Sequence, residues 1–334
     1  MLRMRPLRVE RPTSLADAVA LLGEHGDRAK VLSGGTDLVP NVKLLQNDPE
    51  ILVSLARIPA FAGVQRLPVN GHDEVVIGAG TRLVDIAESP IVAAALPALA
   101  HAASRIASPQ IRNMGTLGGN LCLDTRCRYI NQSELFRDAL GGCLKSHGTE
   151  CHVVPGGQGC VAALSTDMAP VLTALDARVR LVGPAGERSL PMGGLYNTDG
   201  LDHTNLGPAE IVAAVHIPVP GPRSLVTYRK WAVRKSIDFP LVSVAVRIDL
   251  SDDEDTLADG MIVVGVLGPR PRKLPLAKLA GAAIDNALAD KLGDMAFKRC
   301  RPLPNVPYDP GYRRERLRVE VKRAVRTFIA ALID

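Results

Sequence analysis

The sequence predicts an α/β unit followed by an α+β unit, and three observations predict it. Residues 12–57 run helix, short strand, glycine loop, strand; residues 58–220 mix strands and helices about a second glycine loop; residues 221–334 hold alternating strands closed by helices. Helical periodicity interleaved with brief apolar runs marks α/β packing, whereas consecutive alternating runs joined by turns make an antiparallel sheet. Three units are expected, 1–57, 58–220 and 221–334, in a chain of 334 residues that is long enough for two or three domains.

In the first unit, Ser14 is placed to cap a helix running to about Glu24, with Asp17 as the capping-box partner and Leu15, Val19 and Leu22 on one face. Ala29 to Leu32 is a short strand leading into Ser33-Gly34-Gly35-Thr36-Asp37, and Ile51 to Ala56 is a second strand. In the second unit a strand covers Glu74 to Gly78 and helices cover Val84 to Glu88 and Val92 to Ala103. Gly115-Thr116-Leu117-Gly118-Gly119-Asn120 then makes the second glycine loop. Helical spacing resumes over Ala169 to Leu175, Ala177 to Met192 alternates about Gly183-Pro184-Ala185-Gly186 as a hairpin, and Ile211 to Val219 is a further strand. After the Pro-Gly-Pro turn near 221, Val226 to Val233, Leu241 to Asp249 and Met261 to Leu267 read as a three-stranded meander with an acidic turn, Ser251 to Asp255. Tyr312 to Ile333 is a long helix with arginines on one face and Val319, Val321, Val325, Phe328 and Ile329 on the other.

Composition excludes several classes. At 46% apolar and 22% charged residues the chain is neither disordered nor fibrous. Forty basic against thirty-five acidic side chains leave a net charge of +5, too small and too evenly spread for a nucleic-acid groove or a membrane surface. With five Phe, five Tyr and one Trp, base-stacking platforms are not expected either. The basic N-terminus has no apolar stretch behind it and the longest uncharged run, Ser89 to Ser104, is too short to span a bilayer, so a cytoplasmic protein is expected. Five of the six cysteines fall between 122 and 160, which in a reducing compartment points to metal or redox chemistry.

Neither glycine loop fits the dinucleotide fingerprint or the P-loop. Each is either a tight turn or a row of backbone N–H groups, unobstructed by Cβ, that cradles an anionic pyrophosphate. Asp167, in Ser165-Thr166-Asp167-Met168-Ala169-Pro170, is either a helix N-cap or a carboxylate for ribose hydroxyls. Lys230 is either a solvated edge residue or a cation near the pyrimidine end of a flavin. Cys127, Cys143, Cys151 and Cys160 have the spacing C-x15-C-x7-C-x8-C, unlike paired zinc knuckles or the compact bacterial ferredoxin run. Zinc and [4Fe–4S] both accept four cysteines, so ligand count does not choose between them. Cys122 is read as a small buried packing residue and His152 as a spare beside Cys151, either being a substitute ligand; Cys300 is read as an inert thiol.

The segments Val31 to Leu38, Arg112 to Asn120 and Ser165 to Pro170 together resemble the FAD-binding medium subunits of molybdenum hydroxylases, the xanthine and aerobic carbon monoxide dehydrogenase type. Tyr228-Arg229-Lys230, Gly265 to Pro271 and Tyr312-Arg313-Arg314 are similar to the C-terminal domain of that family, so the resemblance covers nearly the whole chain. It implies a two-part FAD-binding domain followed by a C-terminal domain of antiparallel sheet plus helices. Between the second glycine loop and Ser165 stand about forty extra residues, Leu123 to Leu164. An insertion carrying these cysteines, with Leu121 to Cys127 and Asn131 to Glu134, resembles that of the 4-hydroxybenzoyl-CoA reductase branch, which holds an extra [4Fe–4S] cluster.

The resemblance implies FAD contacts at Val31, Leu32, Ser33, Gly34, Gly35, Thr36, Asp37, Leu38, Ile106, Thr116, Gly118, Gly119, Asn120, Asp167, Val212 and Lys230, and cluster ligands Cys127, Cys143, Cys151 and Cys160. Ile106, Val212 and Phe239 are apolar positions matched by offset alone. The resemblance also implies a subunit that does not itself transform substrate. Its partners would be a large subunit with the molybdenum cofactor and a small one with two [2Fe–2S] clusters, in a dimer of heterotrimers, with a ferredoxin as electron donor. Electrons would run inward, for reductive dehydroxylation of 4-hydroxybenzoyl-CoA to benzoyl-CoA. The competing expectations are a flavin subunit of another molybdenum hydroxylase that passes electrons outward, with a structural metal in the insertion, and a zinc-stabilised binding module without redox function.

Overall fold

The computed structural model describes residues 4–69, 71–252 and 256–333, so Asp253, Glu254 and Asp255 of the acidic turn lie outside the described residues. Strands β1 (Arg8–Glu10), β2 (Ala29–Leu32) and β3 (Ile51–Ser54) form a parallel sheet in the order β1-β3-β2. All of β3 is buried, as the middle strand of a covered parallel sheet requires. Helix Leu15–His25 packs here through Ala18, Val19 and Leu22, and the Ser14 hydroxyl accepts the Asp17 amide at 3.0 Å. β3 stops short of Ala56 because the chain tightens into a 3-10 turn at Leu55–Arg57.

Strands β4 (Val64–Val69), β5 (His72–Gly78), β6 (Arg178–Gly183), β7 (Gly186–Pro191) and β8 (Ile211–Pro218) make an antiparallel sheet in the order β4-β5-β8-β6-β7. The β6–β7 hairpin turns between Gly183 and Gly186 as expected. β4 escapes the sequence pattern because it is a largely exposed edge strand interrupted by Pro68. The run from 92 to 103 is two helices, Pro90–Ala95 and Pro97–Ser104. Pro97 disfavours a helical Leu96, which sits at φ −139°, ψ 57°.

Strands β9 (Ser224–Trp231), β10 (Val242–Leu250), β11 (Leu257–Gly265) and β12 (Arg272–Pro275) form an antiparallel sheet in the order β12-β11-β10-β9. The fourth strand buries only Leu274, too little to mark it in the sequence. Alternation along β10 separates two cores. Val244, Val246 and Ile248 face helices Asn286–Arg299 and Pro310–Ile333, with the inert Cys300 among them, whereas Ala245 joins the larger core around helix Met168–Ala174.

The arginines of the last helix are not all on a solvent face. Arg313 is fully buried and donates to the carbonyls of Leu241, Val266 and Leu303 at 3.1, 2.7 and 2.8 Å. The buried Glu320 takes Arg229 at 2.6 Å and Arg316 at 2.8 Å, and Val319 is only half-buried, so the apolar stripe runs through Leu317, Val321, Val325 and Phe328. No helix among the described residues is long and apolar enough to cross a membrane.

Residues 123–164 leave and re-enter the fold at one point: Arg126 and Ala163 exchange amide–carbonyl bonds of 2.8 Å in both directions. Between them the only regular element among the described residues is helix Glu134–Ala139. Arg137 on this helix is buried and donates to Leu44 O (3.0 Å), Leu45 O (3.1 Å) and Gln132 O (2.6 Å). It therefore ties the segment to the end of helix Leu38–Lys43. Arg137→Met should leave those carbonyls unpaired, at about 1–3 kcal/mol for each that stays buried. Limited proteolysis within 133–150 is the measurement, and cleavage should accelerate on the order of tenfold or more.

Candidate functional site

A cavity of about 750 Å³ opens between the parallel sheet, the second glycine segment and the loop between β9 and β10. Its walls include Val31, Ser33, Gly34, Gly35, Thr36, Asp37 and Leu38 from the first loop, and Thr116, Gly118, Gly119 and Asn120 from the second. Ile106, Asp167 and Val212 line it as well, as does Phe239. Leu32 and Lys230 are not among the lining residues.

The two loops are locked together. Ser33 and Thr116 share a hydroxyl–hydroxyl bond of 2.9 Å, and a Cβ on Gly34 would lie 2.0 Å from the Met114 carbonyl oxygen. Gly34 is thus required by close approach, and Gly35 by its φ of +70°. Among the described residues the amides of Gly34, Gly35, Thr36 and Asp37 donate to no protein acceptor, so this loop is the open row of N–H groups that an anionic diphosphate needs.

The second loop is less open than the first. It is the start of a short helix, Leu117–Leu121, and three of its amides are already spent: Leu117 N on Thr81 O, Gly118 N on Ala79 O and Gly119 N on the Thr116 hydroxyl. Its glycines serve packing, since a Cβ on Gly118 would meet Ala79 Cβ at 2.9 Å. Asn120 turns inward, where its Oδ1 accepts the Thr166 hydroxyl at 2.5 Å.

Asp167 stands at the N-cap position of helix Met168–Ala174 but caps nothing. Its carboxylate accepts the Tyr228 hydroxyl at 2.6 Å and lies 3.1 Å from the Lys230 ammonium, which also donates to Arg105 O at 3.0 Å. Lys230 is therefore neither a solvated edge residue nor a wall of the cavity; it is buried behind Asp167. Burial raises the Asp167 pKa above its ordinary value, opposed by Lys230 and by the Tyr228 hydrogen bond. Breaking a buried pair by removing one partner costs about 3–5 kcal/mol, and Lys230→Met should do so. A carboxyl raised in this way keeps its proton in the folded chain where the unfolded chain has released it. Stability is then retained below the ordinary carboxylate range and lost as pH rises through the folded value. Thermal melts of Lys230→Met should show a modest deficit near about pH 4 and the full one by about pH 8.

Ile106 and Val212 belong to the core and yet show one side to the cavity. Leu32, on β2, packs against the loop instead, its Cδ1 lying 3.0 Å from where a Gly35 Cβ would be. Cys122 is exposed, contrary to the packing reading, but only into the cavity; protein surrounds it, and this burial pushes its thiol up to about 12.

Cys127, Cys143, Cys151 and Cys160 converge on a second, small cavity of about 20 Å³, walled also by Tyr129, Ile130, Lys145 and His152. Burial, with the other three cysteines adding to it, pushes the Cys127 thiol up to about 11. Burial likewise raises Cys160. Lys145 opposes this shift at Cys160. Among the described residues no group of three His, Cys, Asp or Glu side chains is set to hold a metal ion. A tetrahedral zinc would need sulfurs about 3.8 Å apart, given a Zn–S bond of about 2.3 Å. His152 Nε2 is in contact with Gly142 O at 2.5 Å, and Cys122 does not line this cavity.

Sequence reasoning missed the residues between the two cavities. Asp124, Lys145 and His203 all line the larger one, and His203 Nε2 is buried without a partner among the described residues. Asp37 accepts the Asp124 amide at 3.3 Å and has Arg126 at 3.7 Å; Arg126 in turn lies 3.9 Å over the Phe239 ring. The segment 123–164 is thus built into the wall of the larger cavity.

Comparison with known proteins follows the same division. Residues 5–220 match the FAD binding domain in molybdopterin dehydrogenase, and residues 227–328 match the CO dehydrogenase flavoprotein C-terminal domain. The chain is 31% identical to the carbon monoxide dehydrogenase medium chain of Hydrogenophaga pseudoflava over 316 residues, covering 94% of each. It is 32% identical to an aldehyde oxidoreductase FAD-binding subunit of Escherichia coli strain K12 over 284 residues, covering 82% of this chain and 85% of that one. The solved carbon monoxide dehydrogenase of Hydrogenophaga pseudoflava matches with a TM-score of 0.77 at 29% identity, over 97% of both chains.

Proposed function

From the premise that this chain belongs to the FAD-binding medium subunits of the molybdenum hydroxylases, we propose that it is the electron-transfer β subunit of a 4-hydroxybenzoyl-CoA reductase, holding FAD and a [4Fe–4S] cluster. The observation that carries the finer reading is the convergence of four cysteines on one cavity beside the larger one. The donor set fits: four thiols and no competing carboxylate line the small cavity, and each thiolate of a cubane binds a different iron. When bound, FAD supplies one- and two-electron chemistry and the cluster one-electron chemistry.

The chain's own residues bind and position. The free amides of Gly34 to Asp37 hold the diphosphate, with the Thr116 hydroxyl, Gly118, Gly119 and Asn120 forming the facing wall. Asp167, held by Tyr228 and Lys230, offers the cavity an oriented carboxylate, while Val31, Leu38, Ile106 and Val212 supply its apolar sides. No Ser/His/Asp set or pair of carboxylates is required, because substrate is handled on another subunit. Residues 1–57 and 58–220 are the two parts of the flavin domain, and 221–334 is the C-terminal domain.

In this reading the chain relays electrons from a reduced ferredoxin toward a large molybdenum subunit, beside a small subunit with two [2Fe–2S] clusters. The assembly is a cytoplasmic dimer of heterotrimers. A second reading, a flavin subunit passing electrons outward with a structural metal in the insertion, draws on the likeness to the carbon monoxide dehydrogenase chains. Metal and flavin analysis of the anaerobically purified complex separates the two: about four irons per chain in the insertion, beyond those of the partner subunits, are expected. Zinc in place of that iron would refute the cluster.

A further inference from the structure

Lys145 belongs to both cavities. Among the described residues it alone lines the larger cavity and the cysteine cavity together. It stands two residues after Cys143 and is 11% exposed. Its ammonium donates to the Asp124 carboxylate at 2.5 Å, the Thr125 hydroxyl at 2.5 Å and Gly200 O at 2.7 Å. All three donors are spent, so the charge is fixed in place. A buried ammonium is costly unless paired, and here the pairing carboxylate is itself a wall residue of the larger cavity.

We propose that Lys145 is a positioning residue for electron passage between the two sites: its ammonium stabilises the reduced, more negative form of the group held by the four cysteines, and its bond to Asp124 fixes the shared wall. The proposal rests on the reading of the cysteine cavity as a [4Fe–4S] site. One electron from a one-electron donor of the ferredoxin class adds one negative charge there and leaves the donor oxidised by one; no bond is made or broken. A fixed positive charge in this low-dielectric setting would offset the added charge.

The test is an EPR-monitored redox titration of the anaerobically purified complex, with iron and flavin content measured on the same samples. Lys145→Met keeps the stem and removes the charge, Lys145→Arg keeps the charge, and Asp124→Asn removes the opposing carboxylate. The insertion's cluster should show a lower midpoint potential in Lys145→Met, a wild-type value in Lys145→Arg and a higher one in Asp124→Asn. An unchanged or raised potential in Lys145→Met at full iron content overturns the proposal, as does an arginine variant shifted as far as the methionine one. Should Lys145→Met lose its iron, Asp124→Asn decides, and the absence of an upward shift there overturns the proposal. A wild-type complex without iron in the insertion overturns the reading of the cysteine cavity instead, and this proposal with it.

Discussion

Cys143→Ser should strip the insertion of iron while the chain keeps its FAD. Cys143 lines the small cavity and not the larger one, and its amide is held by Ser146 Oγ at 2.9 Å, so the local turn survives the substitution. What is lost is a thiolate, the ligand type that iron–sulfur clusters require. The flavin side depends on the Gly34 to Asp37 amides and the Ser33–Thr116 bond, none of which involves Cys143. Iron in the insertion is expected to fall from about four per chain to near zero, with flavin unchanged. Loss of both together would show that the two sites are one folding unit and would contradict their separation.

Gly34→Ala should have the reverse effect. The new Cβ would lie 2.0 Å from Met114 O and 2.9 Å from Gly115 Cα. Neither atom can yield, because Met114 and Gly115 both donate to Ile111 O, at 3.1 and 2.6 Å. The first loop must therefore swing off the second, which removes the amide cradle and opens the larger cavity. Flavin content is expected to drop at least about tenfold, a change of roughly 1.4 kcal/mol in binding, while iron is retained. Gly23→Ala is the control: it lies on helix Leu15–His25 with nothing within 4 Å of the added Cβ, and should bind flavin normally and gain up to about 1 kcal/mol in stability. Equal flavin loss in both variants would refute the steric argument.

Much of this architecture is written in local patterns. The Ser14 cap, the Gly183–Gly186 hairpin and the β9–β10–β11 alternation each depend on residues near one another in sequence, and each appears in the structure. What escaped is what depends on distant partners. Lys230 reads as a strand lysine until Asp167 and Arg105 are brought to it from 63 and 125 residues away. The second glycine loop reads equally as a tight turn or an anion cradle until Ala79 and Thr81 are seen to take the amides of Gly118 and Leu117. Arg313 reads as one more surface arginine, yet three carbonyls from separate segments enclose it. Lys145 carries no signal at all, since its meaning lies in which two cavities meet at its side chain.

The reciprocal pairing of Arg126 with Ala163 bears on what the fold tolerates. Because Arg126 and Ala163 bond each other in both directions, the chain between them is a loop that leaves and returns at a single point. Closure entropy grows so slowly that doubling a loop costs only about 0.6 kcal/mol, so the scaffold is nearly indifferent to what is carried there. Changes of length within the cysteine segment should therefore leave the rest of the fold standing. Arg137 and Asn305, which donates to Val161 O at 2.7 Å, are what tie this loop to the rest of the chain, so its anchorage rests on side chains and not on its closure.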